Sequence, residues 1–278
     1  MQRHIADESE LTSDMAYYAA FYALEKSGLS REDIDLIIVA TTTPDRTFPS
    51  VATIVQNRLG IKGGAAFDVQ AVCTGFIYAI DIANNYIKAN KANNIIVVGA
   101  ESMSKIIDWR DRSTCILFGD GAGAVILSKT QENTGIISSD IESDGSYGSL
   151  LYTDGGVCIN KSSGVIVMNG TELMKLATEK MSESILSITE KNNFIIDDIK
   201  YIIPHQANIR IISAIERKTQ IPSNKVIITV DKHANTSAAS IPIALCEAWE
   251  QGRVKEGDLI CVAAFGSGFT WGSALLYW

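Results

Sequence analysis

Apolar residues along this chain recur in two kinds of run. Short runs rich in Ile and Val, such as Leu36-Ile-Ile-Val39 and Asn94-Ile-Ile-Val-Val98, show little polar alternation. That pattern predicts strands covered on both faces. Between them lie helical patterns over Thr12–Ser27, Cys73–Ala89, roughly Thr171–Lys191 and roughly Ser237–Glu250. Strands alternating with helices predict an α/β architecture with helices packed on sheets.

The order of elements occurs twice. Glu32-Asp-Ile-Asp-Leu-Ile-Ile-Val39 resembles Asp197-Asp-Ile-Lys-Tyr-Ile-Ile-Pro204, an offset of 165 (197 − 32). Asn94-Ile-Ile-Val-Val-Gly-Ala100 resembles Asp258-Leu-Ile-Cys-Val-Ala-Ala264, an offset of 164 (258 − 94). Both halves end on a Gly-containing turn and an apolar strand, Gly123-Ala-Val-Ile-Leu127 and Gly272-Ser-Ala-Leu-Leu276. Such self-similarity predicts two pseudo-symmetric α/β halves, residues 1–130 and 131–278. The second half opens with an extra strand near Gly135–Ile141, whose counterpart would fall near position −30 (135 − 165). The first half is therefore expected to lack an opening strand, which leaves a sheet edge uncovered.

Composition narrows the function classes. The 278 residues are 46% hydrophobic and 20% charged, typical of a globular protein with a large core. The net charge of −8, with no Lys/Arg run, argues against nucleic acid as partner. No apolar run is long enough to span a bilayer, and the charged start Met1–Glu10 has no apolar core of a secretory signal. Five scattered cysteines without a CxxC fit reduced thiols and a cytoplasmic setting. His4, His205 and His233 show no metal-ligand spacing, so neither metal nor cofactor is expected.

Three residues stand where a strand-like run gives way to a turn or helix: Cys73, His205 and Asn235. A cysteine at a helix N-terminus meets unpaired N–H groups and the positive dipole end, which favour thiolate. A thiol nucleophile with two neutral hydrogen-bonding partners suits thioester chemistry. The plainer readings are a buried structural cysteine, a satisfied core histidine and a helix-capping asparagine. His205 and Asn235 fall at corresponding strand ends of the second half, where α/β proteins gather ligands. Phe265-Gly-Ser-Gly268 reads as a tight turn needing glycine freedom. Gly119-Asp-Gly-Ala-Gly-Ala124 leads into a strand rather than a helix, so it reads as a hairpin and not a dinucleotide loop. Arg210 and Arg217 share one helix face beside Lys218, either a solvated face or a small basic patch.

Six segments in order resemble the thiolase-fold condensing enzymes, and among them the β-ketoacyl-[acyl-carrier-protein] synthase III family. They are Ala66-Phe-Asp-Val69 leading to Cys73, Phe118-Gly-Asp-Gly-Ala-Gly123, Ser143-Asp-Gly-Ser-Tyr-Gly148, Pro204-His-Gln-Ala-Asn208, Asn235-Thr-Ser-Ala-Ala-Ser240 and Ala264-Phe-Gly-Ser-Gly-Phe-Thr-Trp-Gly272. The resemblance runs from Arg3 onward. It implies a thiolase-like fold and condensation of a short acyl-coenzyme A with malonyl-acyl-carrier protein. Cys73 would be the nucleophile, with His205 and Asn235 donating hydrogen bonds to the malonyl thioester carbonyl. Backbone N–H groups of Cys73 and Ser267 would form an oxyanion hole. Phe265 would exclude water, and Phe48 would cross a homodimer interface to limit the acyl pocket. Arg112, Asn208 and Arg210 would contact coenzyme A or the acidic carrier protein.

Two departures stand out. The family normally carries a Trp- and Arg-containing segment before Arg3-His4, and its C-terminal turn often reads Phe-Gly-Gly-Gly where this chain has Phe265-Gly-Ser-Gly268. An inactive remnant serving as a dimerisation or binding protein is therefore one alternative. A relative condensing other thioesters is another.

Overall fold

The computed structural model describes residues 2–132 and 134–278. The first half contains α1 (Thr12–Ser27), β1 (Leu36–Ala40), α2 (Val51–Leu59), β2 (Ala65–Val69), α3 (Gly75–Lys88), β3 (Asn94–Ser102) and β4 (Asp120–Ser128). The second contains β5 (Gly135–Ser143), β6 (Leu151–Thr153), β7 (Ile166–Met168), α4 (Gly170–Lys191), β8 (Tyr201–Pro204), α5 (Ile209–Thr219), α6 (Val230–His233), α7 (Ser240–Glu250), β9 (Leu259–Gly266) and β10 (Thr270–Tyr277).

Two four-stranded sheets form, in the orders β2-β1-β3-β4 and β5-β10-β9-β8, and β6 pairs with β7 as a small ribbon. β1 runs parallel to β2 and β3, while β4 lies antiparallel to β3. β8 and β9 repeat the parallel pair, and β10 the antiparallel one. A single parallel bridge, Ile202 to Val226, stands where β2 would have its counterpart. β5 covers the outer edge of β10. Among the described residues β4 forms the edge of its sheet, as the repeat arithmetic predicts.

The strands lack polar alternation because each sheet is covered twice. In β1, Leu36, Ile38 and Ala40 face the central core, whereas Ile37 and Val39 face α1 and α2. In β9, Ile260, Val262 and Ala264 face the same central core, whereas Leu259, Cys261 and Ala263 face α4 and α5. The layers therefore run helix, sheet, helix, sheet, helix, with α3 and α7 shared between the sheets. Each fully buried Ile or Leu contributes about 1.5–3 kcal/mol relative to exposure. No helix among the described residues is long and apolar enough to cross a membrane.

One expectation needs correction. Gly119–Ala124 is not a hairpin: residues from Asp120 onward are the first half of β4 itself. Its glycines serve close packing, since a Cβ on Gly123 would lie 2.8 Å from the backbone of Pro242 and Ile243 in α7. A strand of small residues and a turn share the same glycine-rich composition, and here the helix crossing behind it selected the composition.

Gly99 in β3 is tighter still. A Cβ there would lie 2.3 Å from the Ala238 carbonyl oxygen and 3.1 Å from Ala239 Cα. Neither contact can yield by rotating a side chain. Gly99→Ala should therefore cost about 1–3 kcal/mol and lower the thermal midpoint by several degrees. Gly145→Ala, where a Cβ meets nothing within 4 Å, is the control and should stay near wild type. An unchanged midpoint for Gly99→Ala would contradict this packing.

Candidate active site

Cys73 lies in a 3-10 turn, Val72–Thr74, that leads directly into α3. The backbone enters it through Val72 at φ +48°, a conformation uncommon for a β-branched residue. Gly266, the last residue of β9, presses on this turn. A Cβ on Gly266 would stand 2.9 Å from Cys73 N and 3.0 Å from Ala71 O. Only glycine lets the second-half strand come so near.

His205 follows β8, and its N–H donates to Ala263 O of β9 at 2.7 Å. Its Nδ1 lies 2.6 Å from Ser240 Oγ at the start of α7. That oxygen also accepts the Gln206 N–H at 3.3 Å. With one N–H already received, the Ser240 hydroxyl has its own proton to give, and Nδ1 is in place to take it. With Nδ1 as the acceptor, the ring proton sits on Nε2. Burial lowers the His205 pKa to about 3, so the ring is neutral near pH 7.

Asn235 is stitched between Leu117 and Gly119 by backbone bonds of 2.9 and 3.0 Å. Its Oδ1 accepts the Ser237 N–H at 2.9 Å. This closes an Asx turn rather than a helix cap, since Thr236 and Ala239 hold the N-cap positions of the following 3-10 turn and of α7; the amide NH2 remains as a donor.

The segment Asn235–Ser240 joins these parts. Its Ser240 holds His205, while its Ser237 turn packs against the turn carrying Cys73. A Cβ on Gly75 would come within 3.5 Å of Ala238 Cβ. The first-half thiol and the two second-half donors therefore belong to one neighbourhood.

Burial opposes the expected thiolate. It pushes the Cys73 thiol up to about 12, with the charge of Glu101 adding to the rise and the Ser237 hydroxyl working against it. The position before α3 is as predicted, but desolvation outweighs the dipole, and the resting group is a neutral thiol.

Glu101 was not singled out from the sequence. It ends the apolar run of β3 and is fully buried. Its carboxylate accepts from Thr43 Oγ1 at 2.6 Å, Thr42 N at 3.0 Å and Ser237 Oγ at 3.0 Å. Burial raises its pKa to about 7 against the pull of those donors. The available signal was an acidic residue closing a strand at the ligand-gathering end of a sheet.

A cavity of about 1350 Å³ opens onto Cys73 and is lined also by Val72, Ser267, Thr43, Phe118 and Ile166. His205, Asn235 and Phe265 are as buried as Cys73 and are not among the residues lining the cavity. Phe265 stacks on Phe269 with ring centroids 4.8 Å apart. The Ser267 hydroxyl donates to Leu151 O.

The remaining residues lie apart from that cavity. Asn208 caps α5 by accepting the Arg210 N–H at 2.8 Å, while Arg112 and Arg210 are exposed. Phe48 is 80% exposed beside a cis peptide to Pro49.

His205 makes stability pH-dependent. Its folded pKa lies below the ordinary 6.5, so the unfolded chain binds the extra proton between pH 6.5 and about 3. This contribution is intact above 6.5 and is lost as pH falls through that window, at about 1.4 kcal/mol per unit. Glu101 has the opposite sign, with stability lost as pH rises from 4.5 towards 7. Comparing wild type with His205→Asn cancels the Glu101 effect. The variant's melting midpoint should fall less steeply than wild type's between pH 6.5 and 4.5; parallel curves would contradict a buried neutral ring.

Comparison with known proteins agrees with this arrangement. The description 3-Oxoacyl-[acyl-carrier-protein (ACP)] synthase III matches residues 67–145, and its C-terminal counterpart matches residues 189–278. Beta-ketoacyl-[acyl-carrier-protein] synthase III of Ehrlichia canis (strain Jake) is 55% identical over 276 residues, covering 99% of this chain and 86% of the relative. The enzyme of the same name from Wolbachia pipientis wMel is 54% identical, covering 100% and 87%. The crystal structure of 3-oxoacyl-[acyl-carrier-protein] synthase III from Aquifex aeolicus VF5 superposes with a TM-score of 0.94 at 48% identity, covering 99% of this chain and 87% of that one. With identity above half over 99% of its length and a thiolase-like fold superposed over the same span, this chain belongs to the β-ketoacyl-[acyl-carrier-protein] synthase III family.

Proposed function

We propose that this chain condenses a short acyl-coenzyme A with malonyl-acyl-carrier protein, releasing carbon dioxide and coenzyme A and initiating fatty-acid synthesis. The observation that carries this reading is the segment Asn235–Ser240, which holds His205 through Ser240 and packs on the turn of Cys73. An inactive remnant has no need of a neutral His205 with its Nε2 proton kept free.

In the proposed reaction, Cys73 attacks the acyl thioester carbonyl and coenzyme A departs as a thiol. The N–H groups of Cys73 and Ser267 hold the oxyanion that forms between. Malonyl carrier protein then enters. Its thioester carbonyl accepts hydrogen bonds from His205 Nε2 and Asn235 Nδ2. The C–C bond to the carboxylate breaks, carbon dioxide leaves, and its electron pair becomes the enolate. The enolate carbon attacks the acyl-cysteine, and Cys73 leaves as a thiolate that takes up one proton from solvent, the proton the overall reaction consumes. A neutral imidazole fits this better than an imidazolium, because it donates without moving a full charge into the pocket. Each such donor contributes on the order of 3–4 kcal/mol to the transition state. Phe265 and its neighbour Phe269 keep the region dry. No metal or organic cofactor has a part in these steps.

The partner assignments extend the same reading. Phe48 projects from its own chain, so we place it in the cavity of a second copy, where a bulky ring limits the acyl chain to a short primer such as acetyl. The exposed Arg210, Arg217 and Lys218 on α5, with Arg112 and Asn208, would meet coenzyme A or the acidic carrier protein, acting mainly on encounter rate. A cytoplasmic homodimer fits these partners.

Three measurements check the reading. Mixing with acetyl-coenzyme A should add one acetyl group to Cys73, and Cys73→Ala should carry none. His205→Ala and Asn235→Ala should still acylate but release carbon dioxide roughly 10²–10³-fold more slowly. Equal loss of both steps, or of neither, would contradict the division of labour. Phe48→Ala should weaken the dimer in sedimentation or accept longer primers; a variant unchanged in both would remove Phe48 from the interface.

A further inference from the structure

Glu101 has no part in the steps above, yet it is the only fully buried acidic side chain beside Cys73 among the described residues. Among the described residues, the groups that bond its carboxylate are uncharged. The segment after β1 gives Thr41, Thr42 and Thr43, and α1 adds Thr12, whose hydroxyl bonds Ser102 and the Thr43 carbonyl. β4 faces it with Gly121, and the next residue back, Asp120, is turned away to Ser104 and Ala6. The Asn235–Ser240 segment contributes the Ser237 hydroxyl at 3.0 Å. The charge of Glu101 in turn raises the pKa of Cys73.

Ser237 is shared. Its hydroxyl donates to Glu101 Oε1, and its turn packs on the turn of Cys73. One hydroxyl proton cannot serve a carboxylate and a thiolate together. While Glu101 is ionised, the proton points to the carboxylate and the Ser237 oxygen is open to the thiol. Once Glu101 is protonated, the same hydroxyl is free to turn to sulfur.

We propose that Ser237 and Glu101 form the route by which Cys73 loses its proton during acylation. This rests on the proposed acyl transfer. As the sulfur lone pair forms the C–S bond, the thiol proton passes to Ser237 Oγ and the Ser237 proton passes to Glu101 Oε1. The carbonyl π pair moves to oxygen, then returns and expels the coenzyme A thiolate. That thiolate recovers the proton from Glu101 by the same path. The sum is acyl-coenzyme A plus cysteine thiol giving acyl-cysteine plus coenzyme A thiol, with charge unchanged. In this relay Ser237, whose turn packs on the turn of Cys73, exchanges protons with the reacting sulfur, whereas Glu101 acts through Ser237.

The requirement for an ionised Glu101 gives the test. In wild type, single-turnover acetylation of Cys73, and its alkylation by iodoacetamide read on the Cys73 peptide, should both rise with pH through an inflection near 7 and then level. Ser237→Ala and Glu101→Gln should lose the inflection, follow hydroxide instead, and react roughly 10²-fold more slowly at pH 8. Alanine tolerates the Ser237 backbone (φ +49°) as serine does, so Ser237→Ala decides the matter if Glu101→Gln fails to fold. A wild-type profile without the inflection overturns the relay, as does a folded Ser237→Ala protein that keeps it. Iodoacetamide needs no acyl site, so the alkylation arm still tests the relay should acetyl-coenzyme A give no adduct.

Discussion

Close approach of backbones from the two halves is the constraint on which the rest depends. β3 touches the turn at Ala238 through Gly99, β9 touches the turn of Cys73 through Gly266, and α3 starts against Ala238 through Gly75. The Gly99 and Gly266 contacts leave no room for a Cβ without displacing backbone, while a Cβ on Gly75 would meet Ala238 at an ordinary 3.5 Å. The duplicated sheets supply the rigidity, because each is packed on both faces and shares α3 and α7 with the other. A thiol from one copy can then be held near an imidazole and a carboxamide from the other without a flexible linker between them.

Burial decides the charge state of the site. A helix N-terminus favours an anion by about 0.3–1 kcal/mol, and up to about 2 in sheltered geometry. A rise of the thiol from 9 to about 12 corresponds to roughly 4 kcal/mol the other way. Desolvation therefore wins, and the site rests with a neutral thiol, a neutral imidazole and a carboxyl poised near neutrality. Such a site carries little fixed charge. Its chemistry depends on donors already aimed and on protons moved over short distances during each step.

Much of this was legible in the sequence. The doubled order of strands and helices follows from apolar runs whose two-sided burial removes alternation, and Thr12–Ser27 is helical to the residue. Cys73 and His205 were visible because each follows a strand of clear pattern, whereas Asn235 follows the short helix α6 rather than a strand and stood out by its motif. Glu101 was not, since a single acidic letter after Ile95–Ala100 looks like any strand end until Thr43 and Ser237 are seen to surround it. The glycines of β4 looked like a hairpin because composition does not distinguish a turn from a strand beneath a crossing helix. Phe48 had no local signal either, for exposure depends on what the rest of the chain leaves uncovered.

The most direct measurement is a crystal structure of the protein carrying an acyl group on Cys73 and a non-hydrolysable malonyl thioester analogue. His205 Nε2 and Asn235 Nδ2 should both lie about 2.7–3.1 Å from the analogue's carbonyl oxygen. An analogue bound with that oxygen facing other groups, or separated from His205 by the cavity wall, would contradict the joining of the two halves into one reaction site.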